Sequence, residues 1–230
     1  MNTVQRVAKN TAALFAAQAV TAVLGLILSI LIARTLGDVQ FGKYTFALAF
    51  TALFGVFIEL GYSTLLIREV ARDKSLAGKY FGNVAAIRLV LSVIVFVAMA
   101  ATINLMNYPV DAKVLVYLFG IYLILGSFAS ICRVTFRAFE KMEYELITVI
   151  IRETVRVGFG IAVLLLGYGL KEVALVFVFS GIVDVLVSFF LCRKRFTKPR
   201  IEIDFNFWKQ TIKIAIPLAL LSIFGLIYVR

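Results

Sequence analysis

Histidine is missing from all 230 residues of this chain. The commonest general base and the commonest metal ligand are therefore absent. Cysteine is nearly absent too: only Cys132 and Cys192 occur. Both fall near ends of apolar stretches expected to face a reducing compartment, where a disulfide does not persist. With no His/Cys cluster, neither a metal nor another cofactor is expected. Charge is scarce, at 16% of residues, against roughly 25% in a soluble domain. No Asn-x-Ser/Thr sequon is present. The first apolar run is too long for a cleavable signal and lacks an A-x-A-like exit.

Hydrocarbon fills the remaining space. The chain is 62% hydrophobic with a mean hydropathy of +1.00, where soluble domains are about 45–50% apolar. Apolar stretches run Thr11–Ala33, Tyr44–Gly61, Val84–Met106, Val114–Val134, Thr148–Tyr168 and Val173–Cys192, and a seventh begins near Thr211 and continues to Arg230. About 20 apolar residues match the ~30 Å core of a bilayer. The stretches must be helical, because lipid offers the backbone no hydrogen-bond partner. The expected fold is all-α: a polytopic transmembrane bundle of six spans plus the start of a seventh. Residues 1–198 would form the bundle. Residues 199–230 would form an amphipathic connector and the first helix of a second bundle. A helix that stops at Arg230 without a tail points to a longer protein. Gly25-Leu26-Ile27 and Gly225-Leu226-Ile227 hold similar places in the first and seventh stretches, as in a protein of two repeated halves.

Lys and Arg number 24 against 13 Asp and Glu, a net charge of +11. They fall in alternate gaps. Arg6 and Lys9 precede the first stretch. Arg68, Arg72, Lys74 and Lys79 follow the second. Arg137 and Lys141 follow the fourth, with Arg133 at its edge. Arg193, Lys194, Arg195, Lys198, Arg200 and Lys209 follow the sixth. The opposite gaps hold only Arg34, Lys43, Lys113 and Lys171. This bias places the N-terminus in the cytoplasm. It also accounts for the charge, so nucleic acid is not an expected partner. Two inner segments have amphipathic patterns. Leu65 to Tyr80 suits a helix lying in the interface. Ile201 to Trp208 alternates apolar and polar residues. Both also suit ordinary connecting loops.

Thr11, Gln18, Thr21, Gly25 and Ser29 share one face of the first helix, by steps of three, four and seven. Tyr44, Ala47, Thr51, Gly55 and Glu59 share an arc of the second. Such small and polar stripes either pack helices closely or line a hydrated cavity. Gln18 and Glu59 favour the cavity, since a buried carboxylate needs water or a partner. Glu59, Arg88, Arg152, Glu153, Arg156 and Asp184 all lie within stretches, in the inner half of the membrane. Arg88 and Arg152 have stems long enough to reach the inner interface. Arg156 and Asp184 share a depth of roughly 12 Å above the inner ends of their spans, and so are placed to pair. Guanidinium groups gathered there suit a phosphate, which they bind bidentately.

Four places carry a family likeness. Asn10 opens a stretch that ends Ala33-Arg34-Thr35-Leu36-Gly37, followed by Phe41-Gly42. The second stretch ends Glu59-Leu60-Gly61-Tyr62-Ser63, then Ile67-Arg68-Glu69. The fourth ends Phe136-Arg137-Ala138-Phe139-Glu140-Lys141-Met142-Glu143-Tyr144. The seventh opens with Ile216-Pro217 and ends Tyr228-Val229-Arg230. In order and spacing these resemble the N-terminal half of oligosaccharide and polysaccharide flippases of the multidrug/oligosaccharidyl-lipid/polysaccharide superfamily. The resemblance implies two bundles around a cationic cavity. It implies movement of lipid-linked oligosaccharide or polysaccharide precursors across the plasma membrane by alternating access. Arg152, Arg156, Arg88, Gln18, Glu59 and Asp184 are the candidate cavity residues. The implied partners are a lipid diphosphate headgroup, membrane lipids, a coupling ion and the C-terminal half of the same protein. An antiporter for drugs or cations would instead rely on Glu59 and Asp184. A membrane-embedded glycosyltransferase would need a metal-binding Asp pair or a catalytic His, and neither is present. A non-transporting scaffold is the remaining alternative.

Overall fold

The computed structural model describes residues 3–59, 61–197, 204, 207–209 and 211–212. Every long element among them is an α-helix: α1 (Thr3–Glu59), α2 (Tyr62–Arg72), α3 (Ala77–Leu105), α4 (Val110–Ala138), α5 (Met142–Leu165) and α6 (Leu170–Arg195). By length and composition α1, α3, α4 and α6 can each cross a membrane. Helix α5 has the length, but Arg152, Glu153 and Arg156 interrupt its apolar run. All of the seventh stretch beyond Ile212 and most of the Ile201–Trp208 segment lie outside the described residues, as does the boundary between residues 198 and 199.

The gap expected between the first two stretches is not a loop. Two helical arms of α1 meet there at a kink at Gly37, with φ 79° and ψ 174°. Only glycine adopts that backbone without a Cβ clash. The break turns the chain back on itself: Tyr44 from the second arm reaches the Ser29 side chain of the first. Leu28 and Ile32 of the first arm pack in one cluster with Tyr44, Ala47 and Phe50 of the second.

Apolar packing falls into two clusters. One joins α1 to Met99, Phe119, Val157 and Phe177. The other joins α2 to Phe81, Val84, Ile131, Phe136 and Cys192. On α6 the buried Asp184 lies between Phe177 of the first cluster and Cys192 of the second. Ionised groups thus occupy the level between two greasy layers. Cys132 and Cys192 are buried and free.

The segment from Leu65 resolves as a helix rather than a loop. Helix α2 buries Tyr62, Leu65, Leu66 and Val70, a spacing of three and four that makes one apolar face. Further on, the α4–α5 turn holds Glu140 at φ 57°. Asn10 donates from Nδ2 to the Glu140 carbonyl at 3.1 Å, and Arg6 pairs with the Glu140 carboxylate at 3.1 Å. The start of α1 is fastened there.

A second fastening holds the connector. Asn83 is fully buried. Its Oδ1 accepts from the Asp204 backbone N–H and from Trp208 Nε1, both at 3.0 Å. Lys79 pairs with Asp204 at 3.2 Å. Trp208 is the only tryptophan, so its fluorescence reports on this contact. Asn83→Ala is expected to raise quenching of that emission by acrylamide while α-helical content stays unchanged. Unchanged quenching would mean that the connector is held elsewhere.

Candidate functional site

Helices α4, α5 and α6 meet in a chain of alternating charges. Arg133 Nη1 donates to Asp184 Oδ2 at 2.7 Å. Arg152 Nη1 reaches the same oxygen at 3.5 Å. Arg152 also grips Glu153 Oε1 through Nε at 3.1 Å and Nη2 at 2.8 Å. Arg156 Nη2 stands 2.5 Å from Glu153 Oε2, an ion pair without the alignment of a hydrogen bond. The order is Arg133, Asp184, Arg152, Glu153, Arg156, with arginine at both ends. Both carboxylates are fully buried, and the three guanidinium side chains are nearly so. Ser188 donates to Asp184 Oδ1 at 3.2 Å. Arg137 and Glu145 form a separate two-point pair at 2.7 and 2.5 Å.

Sequence pattern explains why these residues meet. On α5, Glu145, Val149, Glu153, Val157, Gly160 and Leu164 are all buried. Their spacing of three and four makes Glu153 part of the packing stripe. On α4, Gly126, Ser130, Arg133 and Arg137 repeat at the same spacing, which sets both arginines on one face. That periodicity was the available signal for Arg133, which the charge bias alone had assigned to the cytoplasmic edge.

Two cavities open beside this chain. One of about 410 Å³ lies between the first arm of α1, α4 and α5, and is walled by Gln18, Thr21, Arg133, Arg137, Glu145 and Arg152 among others. The other, of about 530 Å³, lies between the second arm of α1 and α4. Its walls include Thr51, Gly55, Glu59, Ser130 and Arg133. Arg133 borders both. The two polar stripes of α1 therefore divide their roles. Gln18, Thr21, Thr51, Gly55 and Glu59 line cavities, whereas Tyr44 and Ala47 are buried in the apolar core. Gly25 leaves room for Arg156: a Cβ there would stand 3.4 Å from Arg156 Nη2.

Three of the six sequence candidates, Arg156, Arg88 and Asp184, are placed differently from expectation. Arg156 does not pair with Asp184. It takes Glu153, lies over the Phe177 ring at 5.1 Å and faces the Tyr122 hydroxyl at 3.4 Å. Shared depth fixes only one coordinate, and the faces of α5 and α6 select Arg152 for Asp184 instead. Arg88 does not reach for the interface. It is 1% exposed and donates to the Ser127 carbonyl, Ser130 Oγ and, at 2.9 Å, Ser63 Oγ. Glu59 stands 3.7 Å from it. Three polar partners inside the bundle outweigh a stretch of stem toward water. Arg152 likewise turns inward, onto the Asp184 and Glu153 carboxylates. Asp184 lies behind the cavity wall rather than on it. Gln18 and Glu59 do line cavities.

Residues 7–230 match the family described as polysaccharide biosynthesis protein. The chain belongs to that family. No curated protein sequence matches it. Solved structures share its fold. One is an outward-facing multidrug resistance transporter of the MATE family, in the MOP superfamily, at 14% identity and a TM-score of 0.74, over 94% of this chain and 52% of that one. A MATE transporter in a bent conformation gives 16% identity and a TM-score of 0.72, over 95% and 53%. A MOP-superfamily transporter from Pyrococcus furiosus, described as having a binding pocket of reverse polarity, gives 15% and 0.69, over 94% and 52%. At these identities the likeness is one of fold. The chain spans about half the length of those structures. It is a multi-pass membrane protein with the fold of the N-terminal half of a MOP-superfamily transporter, as its motifs imply.

Proposed function

We propose that this chain is the N-terminal bundle of a flippase. It moves lipid-linked oligosaccharide or polysaccharide precursors across the plasma membrane by alternating access. The N-terminus is cytoplasmic, as the alternating Lys and Arg gaps favour. The two arms of α1 and helices α3 to α6 supply six crossings, and the seventh stretch opens a second bundle. The charged level then lies in the inner half of the membrane, where the headgroup enters.

One observation carries the reading: Arg133, Arg137 and Arg152 converge on a single cavity that holds one carboxylate, Glu145, on its wall. A sugar diphosphate is an anion with several acceptor oxygens, and guanidinium groups match it in charge and geometry. Gln18 and Thr21 on the opposite wall suit sugar hydroxyls. Membrane lipids hold the tail, and a coupling ion supplies direction. An antiporter needs a carboxylate free to accept a cation. Asp184 already serves two arginines and a serine, which leaves that reading resting on Glu59 alone, on the wall of the larger cavity 3.7 Å from Arg88.

Replacing Arg152 and Arg156 together with alanine is expected to abolish complementation of a flippase-deficient strain while the protein still reaches the membrane. Arg152 faces the cavity, and Arg156 holds the carboxylate that aims it. Normal complementation by the double variant would overturn the assignment.

A further inference from the structure

The alternating chain carries one more positive than negative charge, and its Arg133 and Arg152 members share a single oxygen, Asp184 Oδ2. Each guanidinium has five N–H donors. Arg133 spends two of them, on Asp184 and on the Gly126 carbonyl. Arg152 spends three, on Asp184 and Glu153. Half of the pair's donors remain unspent, and both side chains border the 410 Å³ cavity. Two guanidinium groups repel unless something holds them together. Asp184, fully buried and itself fixed by Ser188, is what does so.

We propose that Asp184 is a positioning residue that aligns Arg133 and Arg152 into a two-guanidinium seat for a phosphate-type dianion. The inference rests on the anionic-headgroup reading above. It removes Asp184 from direct contact with substrate and adds Arg133. The bound dianion more than offsets the cluster's one surplus positive charge. Arg133 also borders the larger cavity beside Glu59, so an anion seated there lies at the junction of both spaces.

Simple Coulomb attraction and positioning predict opposite signs. Removing a buried negative charge next to an anion site should tighten anion binding. Losing the group that aligns the two arginines should weaken it. The test is calorimetric titration of the purified, intact protein with inorganic pyrophosphate at low salt. Asp184→Asn is expected to weaken binding at least tenfold, and Asp184→Glu to recover part of the loss. Arg133→Lys is expected to weaken binding similarly, because an ammonium cannot present a planar fork. It carries the test if Asp184→Asn does not fold. Pyrophosphate binding equal to or tighter than wild type in Asp184→Asn would overturn the proposal. So would wild-type affinity in Arg133→Lys, or no pyrophosphate binding by the wild type.

A second arm uses vesicles containing a polyprenyl diphosphate lipid, which separates a lipid headgroup from the free anion. Asp184-dependent pyrophosphate binding without lipid turnover would keep the seat and remove the flippase reading. Lipid turnover untouched by Asp184→Asn would keep the flippase reading and remove the seat.

Discussion

Glu153→Ala is expected to destabilise the bundle by about 3–5 kcal/mol, the usual cost of removing one partner from a buried charge pair. Glu153 is fully buried and divides its oxygens between Arg152 and Arg156. Without it Arg152 keeps only the longer contact to Asp184 at 3.5 Å. Arg156 keeps a neutral hydroxyl and a ring face. Two guanidinium groups would then face each other in a low-dielectric interior. Glu153→Gln keeps the shape and some donor contacts, and should fall between the alanine variant and wild type. The check is thermal unfolding in detergent, with Glu140→Ala as reference. Glu140 pairs with Arg6 where both side chains are about half exposed, and such pairs contribute roughly 0–1 kcal/mol. Equal loss in the two alanine variants would mean that Glu153 is not holding buried charge.

Arg88→Ala should cost about 3 kcal/mol and release α2 in particular. Hydrogen bonds to a charged group are worth roughly 1.5–3 kcal/mol each, and Arg88 ties α2 through Ser63 to α4 through Ser127 and Ser130. The Glu59 contact adds little, since that carboxylate is 54% exposed. Hydrogen exchange should rise across Tyr62–Arg72 more than across α5 or α6. Arg88→Lys should not restore protection, because one ammonium cannot span three acceptors on two helices. An even rise along the chain would contradict this role.

Much of the helical architecture was legible because its cause is one-dimensional. A run of apolar residues long enough for a bilayer must be helical, and that logic found Val84–Met106, which lies inside α3 but for the capping Met106, and Val173–Cys192 inside α6. The same logic placed the break between the first two stretches in Arg34–Lys43, where Gly37 does interrupt the helix, but polarity could not say how short the break would be. One glycine was sufficient for the reversal. A place on a cavity wall was also legible for Arg152, Gln18 and Glu59. Partner choice was not. Depth along a helix follows from counting residues, yet the pairing of Arg152 rather than Arg156 with Asp184 depends on rotation about each axis. Arg133 was missed for a related reason: a basic residue at a span edge looks like a topology signal until its four-and-three spacing with Gly126, Ser130 and Arg137 is considered.

Resemblance to flippases and the arrangement of cavity residues converge from different directions. Much of the motif Phe136 to Tyr144 packs the fold: the rings of Phe136, Tyr144 and Phe196 meet tilted and edge-on with centroids within 5.9 Å of one another, and Arg137 clamps Glu145. Asn10 caps the same turn. The Asn10 and Phe136–Tyr144 motifs thus meet at one end of the bundle, and Arg137 of the second also lines the smaller cavity.

Water at the charged level is the central claim, and single-cysteine labelling with a membrane-impermeant hydrophilic maleimide measures it most directly. In a background with Cys132 and Cys192 replaced by alanine, Thr21→Cys and Gly55→Cys on the cavity walls should react. Val23→Cys and Leu26→Cys, on the outward apolar face of the same helix, should stay unreacted. Labelling at Val23 and Leu26 with silence at Thr21 and Gly55 would show the polar stripes packed dry and the account wrong.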